Sequence, residues 1–160
     1  MDGDGIGRLK KREEIKFLVD SMLGKLARWL RILGYSVDYS STWSDEDIME
    51  KLEEEDFILL TRDRSLAERV DKSYLIQSPI PLMQLKEVID EFSLDKNSFL
   101  FSRCVVCNGR VEEVRKEEVE GRVPEGVFNH SEKFYRCRKC GKIYWPGSHH
   151  DKVRKLLGDL

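Results

Sequence analysis

Short apolar runs alternate with helical patterns in the first part of the chain. Four runs have the length and the content of β-branched and aromatic residues that are typical of strands. They cover residues 15–19, 36–40, 57–61 and 74–76. Because helical patterns separate these runs, the order favours a parallel sheet with helices packed on its faces. We therefore predict an α/β fold for this part.

The helices between these runs have recognisable starts and ends. Residues 22–33 carry leucines and an alanine at helical spacing, and Gly34 follows as a stop signal. Ser44 marks the start of a second helix, because its hydroxyl can cap the first turn while Asp47 reaches back to it. Two further helices are predicted at residues 65–69 and 81–92.

A change in composition divides the chain. Its 160 residues can bury one core and a smaller satellite. Residues 93–102 form a polar stretch before the first cysteine, so we place a domain boundary there. Residues 1–14 mix glycine with charged residues and are predicted to be a flexible lead-in. The α/β domain is then expected at 15–92, and a second domain with a terminal helix at 103–160.

Four cysteines form two C-x-x-C pairs, Cys104 with Cys107 and Cys137 with Cys140. Each pair can form a knuckle, and the two knuckles can converge on one metal ion. Four thiolates complete a tetrahedron and leave no position for a substrate, which predicts one structural zinc ion. Gly109 lies two residues after the first pair and Gly141 directly follows the second, and at both a left-handed turn is predicted to direct backbone N–H groups toward the sulfurs.

Other chemistry remains open for these residues. Two disulfides or four unrelated thiols are alternatives, although an intracellular chain with this spacing more often binds zinc. A redox C-x-x-C normally follows a strand and opens a helix, and neither pair does so. His149 and His150 can offer further metal ligands, but a pair of histidines near the start of a charged terminal helix is also typical of a protein surface.

Acidic residues lie where a parallel sheet usually binds ligands, beyond the carboxyl ends of its strands. Asp20 ends the first predicted strand, Asp63 follows the third, and Asp45 and Asp47 lie in the first turn of the second helix. Carboxylates gathered in this way suit Mg²⁺ or Mn²⁺, which activates water and neutralises a phosphate during hydrolysis. Helix capping and the helix macrodipole explain the same aspartates equally well.

Basic residues accompany the carboxylates. Lys25, Arg28 and Arg31 fall within an arc of roughly 120° on the first helix, away from its apolar stripe. Such a face beside an acidic pocket fits a nucleic-acid backbone passing a metal site, but a solvated face of an amphipathic helix has the same pattern. Arg62 and Arg64, which follow the third strand, are also predicted to contact the substrate.

Composition excludes some classes of protein. No apolar run approaches the roughly 20 residues that cross a bilayer, and residues 1–14 lack the apolar segment of a signal peptide, so we expect a cytoplasmic protein without a membrane partner. The net charge of −2 neither supports nor excludes RNA as a partner. A phosphatase or nucleotide-binding protein is disfavoured, because no glycine-rich phosphate loop follows a predicted strand.

Four segments resemble one known family. FLVDSMLGKLARWLR at residues 17–31 and LTRDRSLA at 60–67 resemble the PIN-like RNase domain that is named after the C-terminal region of the mut-seven exonuclease. SRCVVCNG at 102–109 and YWPGSH at 144–149 are similar to the zinc ribbon that this family carries after its PIN-like part. The resemblance extends over residues 15–157.

This resemblance implies a three-layer α/β/α fold with a mainly parallel sheet, then a small β-rich zinc ribbon and a C-terminal helix. It also implies a Mg²⁺ or Mn²⁺ site and hydrolysis of RNA phosphodiester bonds. Asp20 matches the aspartate of the first strand, Asp45 the aspartate at a helix start, and Asp63 the aspartate of the Thr-Arg-Asp motif. Asp47 is a candidate further ligand.

The function predicted from the sequence is thus a metal-dependent ribonuclease. Its ribbon is expected to extend the RNA surface by stacking and charge or to bind a protein partner, with four candidate residues: Lys139, Lys142, Tyr144 and Trp145. The broader PIN superfamily usually adds a glutamate on an early helix, and no clear counterpart lies between Asp20 and Asp45. A catalytically silent adaptor that binds RNA or protein is therefore the alternative.

Overall fold

The computed structural model describes residues 15–160, so the predicted lead-in at residues 1–14 lies outside the described residues. The first part, which we call the parallel-sheet region (residues 15–92), alternates strands with helices. In chain order these are β1 (Lys16–Val19), α1 (Gly24–Leu33), β2 (Ser36–Tyr39), α2 (Asp45–Glu54), β3 (Ile58–Thr61), α3 (Arg64–Glu68), β4 (Ser73–Leu75) and α4 (Pro81–Phe92). The predicted strands and helices are confirmed, with small shifts at their ends.

The strands form one parallel sheet in the order β2-β1-β3-β4. Alternation along β1 divides the core between the two faces of this sheet. Phe17 and Val19 join a buried cluster with α1 and α4. Leu18 joins a second cluster with Ile48 of α2 and Leu66 of α3. Helices therefore cover both faces, and the predicted α/β/α layering is confirmed.

The next part, which we call the cysteine region (residues 103–147), has a small antiparallel sheet. Its elements are β5 (Val111–Val114), a 3-10 helix (Lys116–Val119), α5 (Glu125–His130), β6 (Phe134–Cys137) and β7 (Ile143–Tyr144). The strands pair in the order β5-β6-β7. Two apolar side chains other than cysteine, Val119 and Phe134, are buried in this region. Its apolar core is therefore small.

The predicted C-terminal helix is present as α6 (Ser148–Gly158). It returns to the parallel-sheet region, where Val153 and Leu157 are buried in the cluster of α1 and α4. Residues 93–102 also contribute to that cluster, since Leu94 is buried in it and Phe101 packs against it. The terminal helix and the segment before the first cysteine thus complete the main core, and a domain boundary at residues 93–102 stays a prediction.

None of the helices in the described part of the chain has the length and apolar character that a membrane span requires.

Candidate functional site

The four cysteines come together in the cysteine region. Their sulfurs all lie within 4.8 Å of one another, and none of the four forms a disulfide. The sulfurs of Cys104 and Cys140 are 3.7 Å apart, and those of Cys107 and Cys137 are 3.4 Å apart. Sulfurs placed tetrahedrally at roughly 2.3 Å from zinc would be roughly 3.8 Å apart. The four side chains are therefore positioned to bind a metal ion, as predicted.

Tight backbone turns build the two knuckles. In the first, the N–H group of Gly109 donates to the sulfur of Cys107 at 3.4 Å. A Cβ atom on Gly109 would lie 2.7 Å from the sulfur of Cys137, so this position requires glycine. In the second, the N–H group of Lys139 donates to the sulfur of Cys137 at 3.3 Å. Gly141 has a φ of +81°, which confirms the left-handed turn predicted there. The same prediction for Gly109 is wrong, because the left-handed residue of the first knuckle is Asn108, with a φ of +71°.

Hydrogen bonds favour the thiolate form at two of these positions. Burial acts to raise the pKa of Cys104, but a hydrogen bond with the Tyr144 hydroxyl at 2.9 Å and nearby backbone N–H groups together bring this pKa below its usual value. At Cys137 burial also acts upward, yet backbone N–H groups lower the pKa to about 7. Burial raises the pKa of Cys107 to about 12. A bound metal ion would displace the proton of that thiol.

The two histidines lie outside this cluster. The ring of His150 stacks on Phe101, with ring centroids 3.7 Å apart and planes inclined by 8°. Burial lowers the pKa of His150, and the neighbouring His149 and Arg154 lower it further. His149 is exposed at the start of α6. The metal-binding group found within residues 15–160 is thus made of cysteines, without a histidine ligand.

Polar contacts join the first knuckle to β2. Arg31 donates from Nη2 and Nε to the carbonyl oxygen of Val37 at 2.7 and 3.2 Å. Its Nη1 donates to the carbonyl oxygens of Val105 and Val106 at 3.0 and 3.3 Å. The side-chain oxygen of Asn108 accepts from the N–H group of Val37 at 3.0 Å. One arginine and one asparagine thus connect the cysteine region to the parallel sheet.

Arg31 therefore does not share the exposed face that the sequence predicted for it together with Lys25 and Arg28. Its side chain is buried, with a relative exposure of 8%. Burial lowers the pKa of its guanidinium, and Asp38 opposes that shift. Lys25 and Arg28 are exposed on α1, as predicted. The helical wheel could not place Arg31, because the carbonyl oxygens of the knuckle that it contacts lie far away in the sequence.

Asp20 and Thr61 meet at the carboxyl ends of neighbouring strands. Asp20 follows β1 and is buried, and its backbone N–H donates to the carbonyl oxygen of Leu60 at 3.0 Å. The hydroxyl of Thr61, the last residue of β3, donates to Oδ2 of Asp20 at 2.7 Å. That hydroxyl also accepts from the N–H group of Asp63 at 3.0 Å. The Thr-Arg-Asp motif thus fixes the orientation of Asp20, a role for Thr61 that sequence reasoning missed.

The other predicted carboxylates serve as helix caps or lie exposed nearby. Asp63 accepts from the N–H group of Leu66 and caps α3. Asp47 and Ser44 form the predicted capping box of α2, with bonds of 2.9 and 3.2 Å. Asp45 is exposed in the first turn of α2. Across residues 15–160, the cysteines are the one group of three or more candidate ligands close enough to share an ion. The assignment of the aspartates to a catalytic metal stays a prediction.

The remaining predicted substrate contacts follow β3. Arg62 is exposed and donates from Nη2 to the carbonyl oxygen of Gln77 at 3.2 Å. Arg64, the first residue of α3, is also exposed. Both side chains are accessible to a ligand at the carboxyl end of the sheet.

Comparison with known proteins gives one informative match. A family model described as the Mut7-C RNAse domain matches residues 15–157. The matched range includes the parallel sheet, the cysteine region and nearly all of α6. No curated protein matches the chain.

Proposed function

The chain belongs to the Mut7-C RNAse domain family, and from this premise we propose that it is a metal-dependent ribonuclease that hydrolyses RNA phosphodiester bonds. The observation that carries the catalytic part is the arrangement of Asp20, Thr61 and Asp63 at the carboxyl end of the sheet. Open α/β sheets bind their ligands at this end. A buried carboxylate held by a neighbouring hydroxyl is well suited to present an oxygen to a metal ion.

The chemistry of these donors suits a hard cation, although within residues 15–160 they do not lie close enough together to share one without rearrangement. Asp20, Asp45 and Asp63 would hold Mg²⁺ or Mn²⁺, with Asp47 as a further ligand, because carboxylate oxygens are the ligands that these ions prefer. When bound, such an ion supplies an activated water and neutralises charge on the phosphate. Thr61 keeps Asp20 in position, since its hydroxyl proton points to Oδ2 of that carboxylate.

Basic side chains near this end would hold the RNA backbone. Lys25 and Arg28 are exposed on α1, the helix that begins shortly after Asp20. Arg62 and Arg64 would contact phosphates from the side of α3. We leave Arg31 out of this surface, because its guanidinium is occupied by three backbone carbonyl groups.

We further propose that the metal of the cysteine cluster is a structural zinc ion. Four thiolates satisfy tetrahedral zinc and leave no position for water or substrate. The cysteine region, with Lys139, Lys142, Tyr144 and Trp145, would then act as a zinc ribbon that extends the RNA surface or carries a protein partner. A cytoplasmic location stays a prediction.

Cleavage of end-labelled RNA tests the ribonuclease assignment. The zinc-loaded protein is incubated with single-stranded and structured RNAs, with Mn²⁺, Mg²⁺ or no added divalent ion. Leaving the ion out is preferable to EDTA, which would also strip the cysteine site. We expect metal-dependent cleavage that is lost in Asp20→Asn and in Asp63→Asn. Asparagine also caps helices well, so Asp63→Asn removes the charge and keeps the cap of α3.

A matched control is Asp71→Asn, which makes the same chemical change at an exposed position just before β4, at the opposite end of the sheet. Its cleavage rate should equal that of the unmodified protein. Cleavage that survives both Asp20→Asn and Asp63→Asn would contradict the proposed site.

A second candidate is an adaptor that binds RNA or protein without cleaving it. The spacing of the aspartates favours it, because within residues 15–160 they do not form a group close enough to share an ion. RNA binding without cleavage under every metal condition would support the adaptor and exclude the ribonuclease.

A further inference from the structure

A small cavity rich in positive charge lies between α1, the cysteine region and the start of α6. Its volume is about 200 Å³, and we call it the basic cavity. Arg28, Arg103, Lys142, His149 and His150 line it. Among the side chains of residues 15–160, no carboxylate lines this cavity. Three permanent cations facing one space attract an anion, and a phosphate is the anion that RNA offers.

A larger cavity of about 610 Å³ adjoins it, and we call it the aromatic cavity. Phe101, Tyr144 and His150 line both cavities, so the two spaces are neighbours. The larger volume lies within the range of roughly 300–1,000 Å³ that is typical of small-molecule sites. Glu113, Asp151 and Arg154 also line it, so two carboxylates against one guanidinium disfavour a phosphate there. A neutral ring fits this cavity better than an anion.

The rings shared by the two cavities are held in place. His150 stacks on Phe101, with centroids 3.7 Å apart. The hydroxyl of Tyr144 lies 2.9 Å from the sulfur of Cys104, and the ammonium of Lys142 lies 5.5 Å from the centroid of the Tyr144 ring. Aromatic rings that are already fixed lose little freedom when a base stacks on them.

The basic cavity is also close to the start of α1. Arg28 lies four residues after Gly24, which opens this helix shortly beyond Asp20. Four residues of helix rise by roughly 6 Å. Ile32, one turn further on, also lines the cavity, so the cavity runs along α1 away from Asp20. A strand of RNA at Asp20 can therefore continue into it.

We propose that the two cavities together bind one nucleotide of single-stranded RNA. The basic cavity holds its phosphate through Arg28 and Lys142, and the aromatic cavity holds its base against His150 and Tyr144. Arg103, whose Nη1 donates to the carbonyl oxygen of Asn108 at 2.9 Å, adds positive charge to the basic cavity. The choice of RNA as the ligand rests on the ribonuclease function proposed above. The nucleotide site itself is separate from the carboxylates that would perform cleavage.

The test measures binding of a short single-stranded RNA that carries one 2-aminopurine and a fluorescent end label. The full chain is loaded with zinc, and Mg²⁺ and Mn²⁺ are omitted so that affinity is measured without cleavage. Lys142→Glu should weaken binding about tenfold and flatten its salt dependence. The control Lys152→Glu makes the same change at an exposed position of α6 outside both cavities, and it should bind as the unmodified protein does.

Substitutions of His150 test whether the base stacks on this ring. Stacking should quench 2-aminopurine fluorescence in the unmodified protein and in His150→Phe, which keeps an aromatic ring. Quenching should be clearly weaker in His150→Ala, where only Tyr144 of the two rings remains. Circular dichroism of both variants shows whether they fold. Binding of adenosine monophosphate is measured in parallel to distinguish an RNA site from a site for a free nucleotide. If the monophosphate binds as tightly as the RNA, the assignment to RNA is overturned.

Equal affinities of Lys142→Glu and Lys152→Glu, or quenching in His150→Ala as strong as in the unmodified protein, would overturn the nucleotide site. The two functions can fail separately. If RNA binding depends on Lys142 but no RNA is cleaved, only the ribonuclease proposal is contradicted. If RNA is cleaved and Lys142→Glu binds it with full affinity, only the nucleotide site is contradicted.

Discussion

The parallel-sheet region and the cysteine region are stabilised in different ways. The first buries apolar clusters on both faces of its sheet and is completed by side chains from α6. The second buries Val119 and Phe134 beside its cysteines. A fold with so little apolar burial needs another source of free energy, and ligation of a structural zinc ion is worth roughly 10–16 kcal/mol in small zinc domains. A metal ion would therefore be needed for folding of the cysteine region but not of the parallel-sheet region.

The largest effect is expected from loss of the metal site. Cys104→Ser, or removal of zinc by a chelator, should unfold the cysteine region because its small core cannot offset the lost ligation. Hydrogen exchange followed by mass spectrometry should show fast exchange in β5, β6 and β7, while β1 and β3 stay protected. Val106→Ser is the matched control, since Val106 lies in the same knuckle, is 63% exposed and offers no ligand. Equal loss of protection in both regions would refute this contrast.

An intermediate effect is expected where the two regions meet. Arg31→Met keeps an apolar stem but leaves the carbonyl groups of Val37, Val105 and Val106 without their donor. The carbonyl group of Val37 is buried, whereas those of Val105 and Val106 are only part-buried. An unsatisfied buried group costs about 1–3 kcal/mol and a part-buried one costs less, so we expect a loss of about 3 kcal/mol in the free energy of unfolding. Urea denaturation measures it, and the single transition should separate into two. Arg28→Met, on the exposed side of the same helix, should change stability by less than about 0.5 kcal/mol.

The smallest effect belongs to the parallel-sheet region alone. Ser44→Ala removes the side-chain cap of α2 and should cost about 1 kcal/mol. Thermal unfolding with zinc present measures this loss, and zinc affinity should not change. Ser41→Ala, at an exposed position before the helix, should have the stability of the unmodified protein. A shift in zinc affinity in Ser44→Ala would show that the two regions are coupled more strongly than their contacts indicate.

Local signals made most of the fold predictable. The capping box of Ser44 and Asp47 lies within one turn, and Gly34, with a φ of +99°, ends α1 where the apolar pattern stops. The cysteine spacing is local within each knuckle, so the metal site was predictable before the knuckles were placed in space. Helix α4 was also predicted with its observed bounds, because Pro81 marks its start.

Contacts between distant residues were not predictable in this way. The carbonyl oxygens of the first knuckle that accept from Arg31 lie about seventy positions further along the chain. No residue pattern in α1 indicates that Arg31 contacts them. The docking of Val153 and Leu157 on the main core likewise depends on the path of the whole cysteine region. At the carboxyl end of the sheet, topology predicts that Asp20 and Asp63 are near each other. The bond from Thr61 to Asp20 depends on the register of β1 and β3.

The hydrogen bonds of Val37 have a consequence for solubility. Strand β2 is one of the two edge strands of its sheet, and such strands tend to recruit strands of other molecules through their open backbone groups. Here Asn108 occupies the N–H group of Val37, and Arg31 occupies its carbonyl oxygen. The first knuckle and α1 therefore each block one backbone group of this strand against aggregation. Loss of the metal ion would release Asn108 and open the N–H group of Val37 to a strand of another molecule, so metal-depleted protein is expected to aggregate more readily than zinc-loaded protein.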